Sequence, residues 1–180
     1  VTELETLQSL AENALESLAV DAQLSVPLVR EFMDDISEFL LEQPQVDIPI
    51  THHFSKAVYA REMKVPKGIL VLGKIHKFEN LNILSKGEVS VLSVDGVMRV
   101  KAPHTFVASP GAQRLIFAHE DVVWTTIHGT EETDVDKIEQ QFIAKTYEEV
   151  NYVLDASSDS GGDSVGCVQS KEAIGPSAGY

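Results

Sequence analysis

The chain has 180 residues and 43% hydrophobic content, enough apolar side chain for one domain-sized core with appendages. Its formal charge of −14 is uneven: residues 1–50 carry eleven acids and one base, residues 129–180 eleven acids and three bases, and Thr51–His128 six acids, ten bases and all six histidines. Acidic flanks around a mildly basic centre argue against nucleic acid as a partner and suit a central pocket for an anionic small ligand.

The opening VTELETLQSL has acids but no basic segment, so it does not read as a secretory signal. Leu4, Leu7, Leu10, Ala14, Leu15 and Leu18 recur at three- and four-residue spacing and predict an amphipathic helix. A second helix opens with Ser25 as N-cap and Pro27 in the first turn. Its stripe of Leu28, Val29, Phe32, Met33, Ile36, Phe39 and Leu40 runs to about Gln43, where Pro44 and Pro49 stop it. Residues 1–50 thus read as an N-terminal helical hairpin that covers the next domain, pairs in an oligomer, or docks on a partner.

From Thr51 to His128 the pattern changes to short β-type runs. VYAREMKV ends at Pro66-Lys67-Gly68, and GILVLGKIHK leads into LNILSKGEVSVLSV, which Lys86-Gly87 interrupts. Asp95-Gly96 is a two-residue hairpin signal, followed by VMRVKA, FVASPGAQRLIFA and VVWTTIH. Strands at this spacing with no helices between them predict an antiparallel sandwich or barrel. His52-His53 precede the first expected strand, and neighbours in extended chain face opposite ways, which suits no shared ion. His104 follows Pro103 as an exposed loop residue, and Trp124 reads as core or an oligomer contact. Residues 129–155 predict a C-terminal helix, with Ile138, Phe142, Ile143 and Tyr147 on one side. Residues 156–180 form a polar, Gly/Ser-rich tail. The tail holds the single Cys167, an unpaired thiol that allows no internal disulfide and fits a reducing, intracellular setting. No apolar run approaches the roughly 20 residues that span a bilayer, so no membrane partner is expected.

The middle of the chain resembles the cupin superfamily. The first cupin motif runs His-x-His, three or four residues, Glu, six residues, Gly, with another Gly ahead of the first His. GKIHKFENLNILSKG, Gly73 to Gly87, follows it with Lys74 on the first His, His76 on the second and Gly87 on the closing Gly. Asn80 falls on the commoner Glu position and Glu79 on the shorter-spaced one. The second motif is Pro-x-Gly-x-x-His; in SPGAQR, Ser109 to Arg114, Gly111 fits and Arg114 replaces His. HHFSKAVYARE, GKIHKFENLNILSKGE and HEDVVWTTIHGTEETD also look like small cupin-like proteins encoded by tailed bacteriophages. The resemblance implies a mainly β fold, a cupin-type antiparallel β-barrel (jelly roll), and a phage source, with host cytoplasm or virion as location.

A metal-dependent cupin holds its ion with three imidazoles and a carboxylate. At those places this chain has Lys74, His76, Asn80 (or Glu79) and Arg114. An ammonium and a guanidinium have no lone pair to donate, and each repels a cation. No metal or other cofactor is therefore expected there. If the family geometry holds, Lys74, His76, Asn80 and Arg114 instead form a binding site for a carboxylate, a phosphate or a partner's acidic side chain. The bland alternative pairs the cations internally with Glu62, Glu79 or Glu120.

The leading expectation is a non-catalytic binding or structural module, oligomeric or joined to other assembly proteins. One alternative is a metal-free epimerase or isomerase acting on an anionic small molecule, with His76 as base, Tyr59 as acid, and Lys74 and Arg114 holding the anion. The other is a metal-dependent enzyme with a displaced site built from His76, His119 and His128.

Overall fold

A computed structural model describes residues 25–94 and 96–150. The first predicted helix and the polar tail with Cys167 lie outside the described residues, and so does the pairing of the helical hairpin. No helix among the described residues is long and apolar enough to cross a membrane.

Helix α1 (Val26–Leu41) starts after Ser25, whose backbone is extended as an N-cap requires, although its side chain makes no capping hydrogen bond. Eleven strands and one further helix follow: β1 (Ile50–Ser55), β2 (Val58–Val65), β3 (Leu70–Leu72), β4 (Ile75–His76), β5 (Asn80–Lys86), β6 (Glu88–Ser93), β7 (Gly96–Lys101), β8 (His104–Ala108), β9 (Leu115–Ala118), β10 (Val122–His128), α2 (Val135–Phe142) and β11 (Ile143–Ala144). The strands form a five-stranded sheet in the order β1-β2-β10-β5-β8 and a four-stranded sheet in the order β3-β9-β6-β7, with β11 paired to β4 beside them. Every described ladder is antiparallel. Among the described residues no ladder joins the two large sheets, so the jelly roll is a two-sheet sandwich rather than a closed barrel.

The chain changes sheets repeatedly, and tight turns make the crossings. Gly87 lies between β5 of one sheet and β6 of the other at φ +89°, a conformation that L side chains rarely adopt. A Cβ there would stand 2.5 Å from the Asp121 carbonyl oxygen, so the closing glycine of the first motif is required twice over, by backbone conformation and by space.

Alternation then sorts side chains between two cores. In β9, Ile116 and Ala118 face inward to meet Met63, Leu84 and Trp124 of the five-stranded sheet. Leu115 and Phe117 face outward and, with Leu92, pack under Val29 and Met33 of α1. Both α1 residues are almost fully buried, 2% and 1% exposed, and burial of each side chain is worth about 1.5–3 kcal/mol. Of the roles open to the second helix, the described residues show it covering the outer face of the four-stranded sheet.

Two expectations are corrected. The first strand is β1, which includes His52 and His53 instead of following them. The continuous C-terminal helix stops at Phe142, because Ile143 and Ala144 extend to pair with His76 and Ile75 before the chain turns helical again at Tyr147.

Candidate functional site

The register of the five-stranded sheet builds one wall of an interior cavity. Arg61 pairs with His52 on one side and Thr126 on the other, and Thr126 pairs in turn with Asn82. Residues in register share a face, so these four side chains form a row across β1, β2, β10 and β5. Two residues along, Ile50, Met63 and Trp124 make a second, more apolar row; Tyr59 and His128 make a third. The opposite wall comes from Val71, Leu72, Gly73, Lys74 and His76 before β5, with Arg114 and Ile116 at β9. Val46 and Ile48 close one side, and Val135, Ile138, Glu139, Phe142 and Ile143 of the α2 region close another. The space enclosed is about 520 Å³, within the range of small-molecule sites.

The polar groups in it are unusual. His76 and His128 stack with ring centroids 5.3 Å apart, and His128 also stacks on Phe142 at 4.3 Å. Burial pushes the His76 imidazolium down to a pKa of about 3, and His128, Arg114 and Arg61 add repulsion. Burial likewise lowers His128 to about 4. Both rings are therefore neutral at pH 7, and the Nδ1 of each is buried without a hydrogen-bond partner among the described residues. The Tyr59 hydroxyl lies 2.8 Å from His52 Nδ1. Burial raises the Tyr59 pKa, opposed by the Arg61 charge and reinforced by Glu139.

Arg61, Lys74 and Arg114 are among the residues that line this space. Arg114 is 9% exposed and lies over the Phe106 ring at 5.1 Å. Arg61 places Nη1 3.9 Å from Met63 Sδ and makes no ion pair among the described residues. Lys74 is ion-paired with Glu139, and both side chains are about half exposed, at 55% and 52%.

Lys74, His76, Arg114 and Tyr59, expected together from the sequence, all line the one cavity. Asn80 does not. It is buried, and its Oδ1 accepts from Asn82 Nδ2 at 2.7 Å while its own Nδ2 donates to the Phe78 carbonyl at 3.2 Å. Asn82 takes its place in the wall, its Oδ1 accepting from Trp124 Nε1 at 3.1 Å and Thr126 Oγ1 at 3.0 Å. His119 lies elsewhere: its Nε2 is 2.7 Å from Ser90 Oγ, so His76, His119 and His128 do not converge. The carboxylate that meets Lys74 is Glu139, not Glu62, Glu79 or Glu120. Glu62 faces His53 and Lys64, and Glu120 faces Lys101. Arg61, His52 and Glu139 were missed as site residues; alternation in VYAREMKV, with Tyr59, Arg61 and Met63 on one face, was the available signal for the first.

The metal of the cupin family does not fit this donor set. Lys74 and Arg114 offer no lone pair, Asn80 is turned to its neighbours, and two guanidinium groups already repel charge on His76. Among the described residues no three His, Cys, Asp or Glu side chains are grouped to hold an ion.

Fold and site together define an antiparallel two-sheet jelly-roll protein with a cationic, largely apolar interior cavity. No protein-family model matches the chain, and no curated protein matches it. Among solved structures it is similar to a cupin superfamily protein from Desulfitobacterium hafniense, at 13% identity over 52% of this chain and 86% of that one, with a TM-score of 0.42. It is also similar to a cupin-2 domain protein from Shewanella frigidimarina, at 14% identity over 53% and 92%, with a TM-score of 0.38. A third is a conserved protein with a double-stranded β-helix domain from Klebsiella pneumoniae, at 14% identity over 48% and 81%, with a TM-score of 0.42. Likenesses of this size carry no argument about activity, which rests on the cavity itself.

Proposed function

We propose that the chain is a cupin-like, metal-free binding module whose interior cavity takes an organic anion. One observation carries the reading: Arg61 stands in the cavity-facing row of β2 with no ion pair among the described residues, in a 520 Å³ space where the nearby imidazoles are neutral and half of the lining residues are apolar. A charge-assisted hydrogen bond to a guanidinium gains strength away from bulk water, which favours a carboxylate or phosphate over a neutral ligand.

Binding is preferred to catalysis because of His76. A base whose conjugate acid has a pKa of about 3 accepts a proton poorly at neutral pH, far from the value that suits proton transfer. The epimerase or isomerase alternative is favoured by the hydrogen-bonded His52–Tyr59 pair in the same cavity. The phage relation and a role in assembly belong to the same proposal. Exposed Leu28, Phe39 and Leu41 on α1 supply apolar surface for self-association, and a solution mass equal to one chain overturns that part.

A thermal-shift screen of carboxylates and phosphate esters tests the binding reading. At least one anion should raise the melting temperature in a saturable way, by mass action on the native state. The Arg61→Gln variant should lose the effect. If no anion stabilises the protein, or if stabilisation survives in the variant, the reading fails.

A further inference from the structure

We infer that His76 and His128 turn Nε2–H donors into the cavity, and that the ligand is an organic anion with a second, proton-free acceptor, a carbonyl, set a few bonds from its charge. The inference rests on the anion-binding reading above and deepens it by naming what the imidazoles recognise.

The tautomers follow from what each ring nitrogen meets. In both rings Nδ1 is sealed and has no hydrogen-bond partner among the described residues. A proton there would leave a buried N–H without an acceptor, which folded proteins rarely tolerate, whereas a bare lone pair in the same place is the smaller penalty. The single proton of a neutral imidazole therefore sits on Nε2. Burial keeps both rings uncharged at pH 7, so no second proton is supplied. Nε2 is sealed in neither ring and makes no hydrogen bond to the described residues, and both side chains line the cavity. His128 as a whole is only 6% exposed, so its open nitrogen opens inward. Stacking at 5.3 Å and 17° holds the two rings nearly parallel.

Around these donors the acceptors are already engaged. Asn82 Oδ1 accepts from Trp124 and Thr126. The Tyr59 hydroxyl is bonded to His52 Nδ1. Glu139, the carboxylate in the lining, is paired with Lys74. An ammonium group on a ligand would find no open carboxylate here, whereas a bare oxygen meets two N–H groups. The charge has its own place. Arg61 pairs with Thr126 and Tyr59 with His128, so Arg61 and His128 are diagonal neighbours on one face of β2 and β10, about 7 Å apart along the strands. A short alkyl chain covers that span: with its acid group at Arg61, it carries an oxo group to the imidazoles.

Nitrogen NMR of the full, isotope-labelled chain at pH 7, assigned by through-bond correlation, should show a bare Nδ1 and a protonated Nε2 in both rings. An Nδ1–H or a doubly protonated ring overturns the donor assignment. Trp124 is the single tryptophan and stands in the cavity wall, so its fluorescence reports binding. The full chain is titrated with hexanoate, 5-oxohexanoate, 5-aminohexanoate and methyl 5-oxohexanoate, each to millimolar concentration. 5-Oxohexanoate should bind about fivefold tighter than hexanoate, and the amino acid and the ester at least about tenfold weaker than 5-oxohexanoate. His128→Phe, which keeps a ring to stack on Phe142, should erase the preference for 5-oxohexanoate over hexanoate. His53→Gln, on the opposite face of β1 beside Glu62, should keep it. If His128→Phe fails to fold, the native spectrum and the comparison among probes decide. Equal binding of hexanoate and 5-oxohexanoate, or a preference that survives in folded His128→Phe, overturns the imidazole donors and leaves the anion site standing. Equal binding of the ester overturns both readings. If no probe binds while another anion stabilises the protein thermally, the ligand class is wrong and the anion site stands.

Discussion

Lowering the pH from 7 to 5 should destabilise the protein through His76. The native chain holds this imidazole near a pKa of about 3, chiefly by burial, whereas the unfolded chain protonates it near its ordinary value of 6.5. The unfolded state therefore binds more protons below pH 6.5. Stability is full above that value and is lost progressively down to about pH 3. At pH 5 the gap is about 1.5 pH units, and at 1.36 kcal/mol per unit this costs about 2 kcal/mol. That figure is an upper bound, since part of the ring faces the cavity while Nδ1 is sealed. His128, lowered to about 4 by burial, acts in the same direction. Urea unfolding at both pH values, on the native chain and His76→Gln, isolates the effect from the other titrating groups. The variant should lose up to about 2 kcal/mol less than the native chain over this interval. An identical loss in the two proteins would show that His76 takes up its proton without unfolding, and the burial argument would be wrong.

Gly87→Ala should cost about 2–4 kcal/mol in urea unfolding, combining a positive φ with a clash against the Asp121 carbonyl; Gly96→Ala, at φ +104° with nothing within 4 Å of its Cβ, should cost about 1 kcal/mol. Equal costs would refute the steric account of the sheet crossing. Asn82→Ala strips Trp124 Nε1 and Thr126 Oγ1 of their acceptor and should destabilise by about 2–4 kcal/mol, seen as a lower melting temperature with altered tryptophan emission. Lys74 and Glu139 are both half exposed, so a double-mutant cycle with Lys74→Met and Glu139→Gln should return less than about 1 kcal/mol of coupling; a larger value would mean that the pair is shielded from water.

Strands β2 and β10 could be read from the sequence because their alternation is strong and breakers bound them. Val58–Val65 and Val122–His128 coincide with the runs VYAREMKV and VVWTTIH. β1 could not, because all six of its residues are exposed and it carries no apolar alternation. The end of α2 was hidden for a different reason. Ile138 and Phe142, then Ile143 and Tyr147, keep four-residue spacing, yet Ile143 and Ala144 pair with β4, and tertiary pairing overrides local periodicity. Lys74, His76 and Arg114 were found through the motif framework. Arg61 and His52 depend on register between strands, and Glu139 meets Lys74 from 65 positions away, a separation no local pattern encodes.

Arg30 of α1 lies over the Tyr147 ring at 4.4 Å, and Tyr147 in turn donates to Gln113 Oε1. The earliest and latest parts of the described chain are thus clasped together across the turn that carries Gly111. A fragment trimmed to the strands alone would bare Leu92, Leu115 and Phe117 to water and unfasten this clasp in the same cut. The helix α1 therefore belongs to the sandwich as fully as any strand.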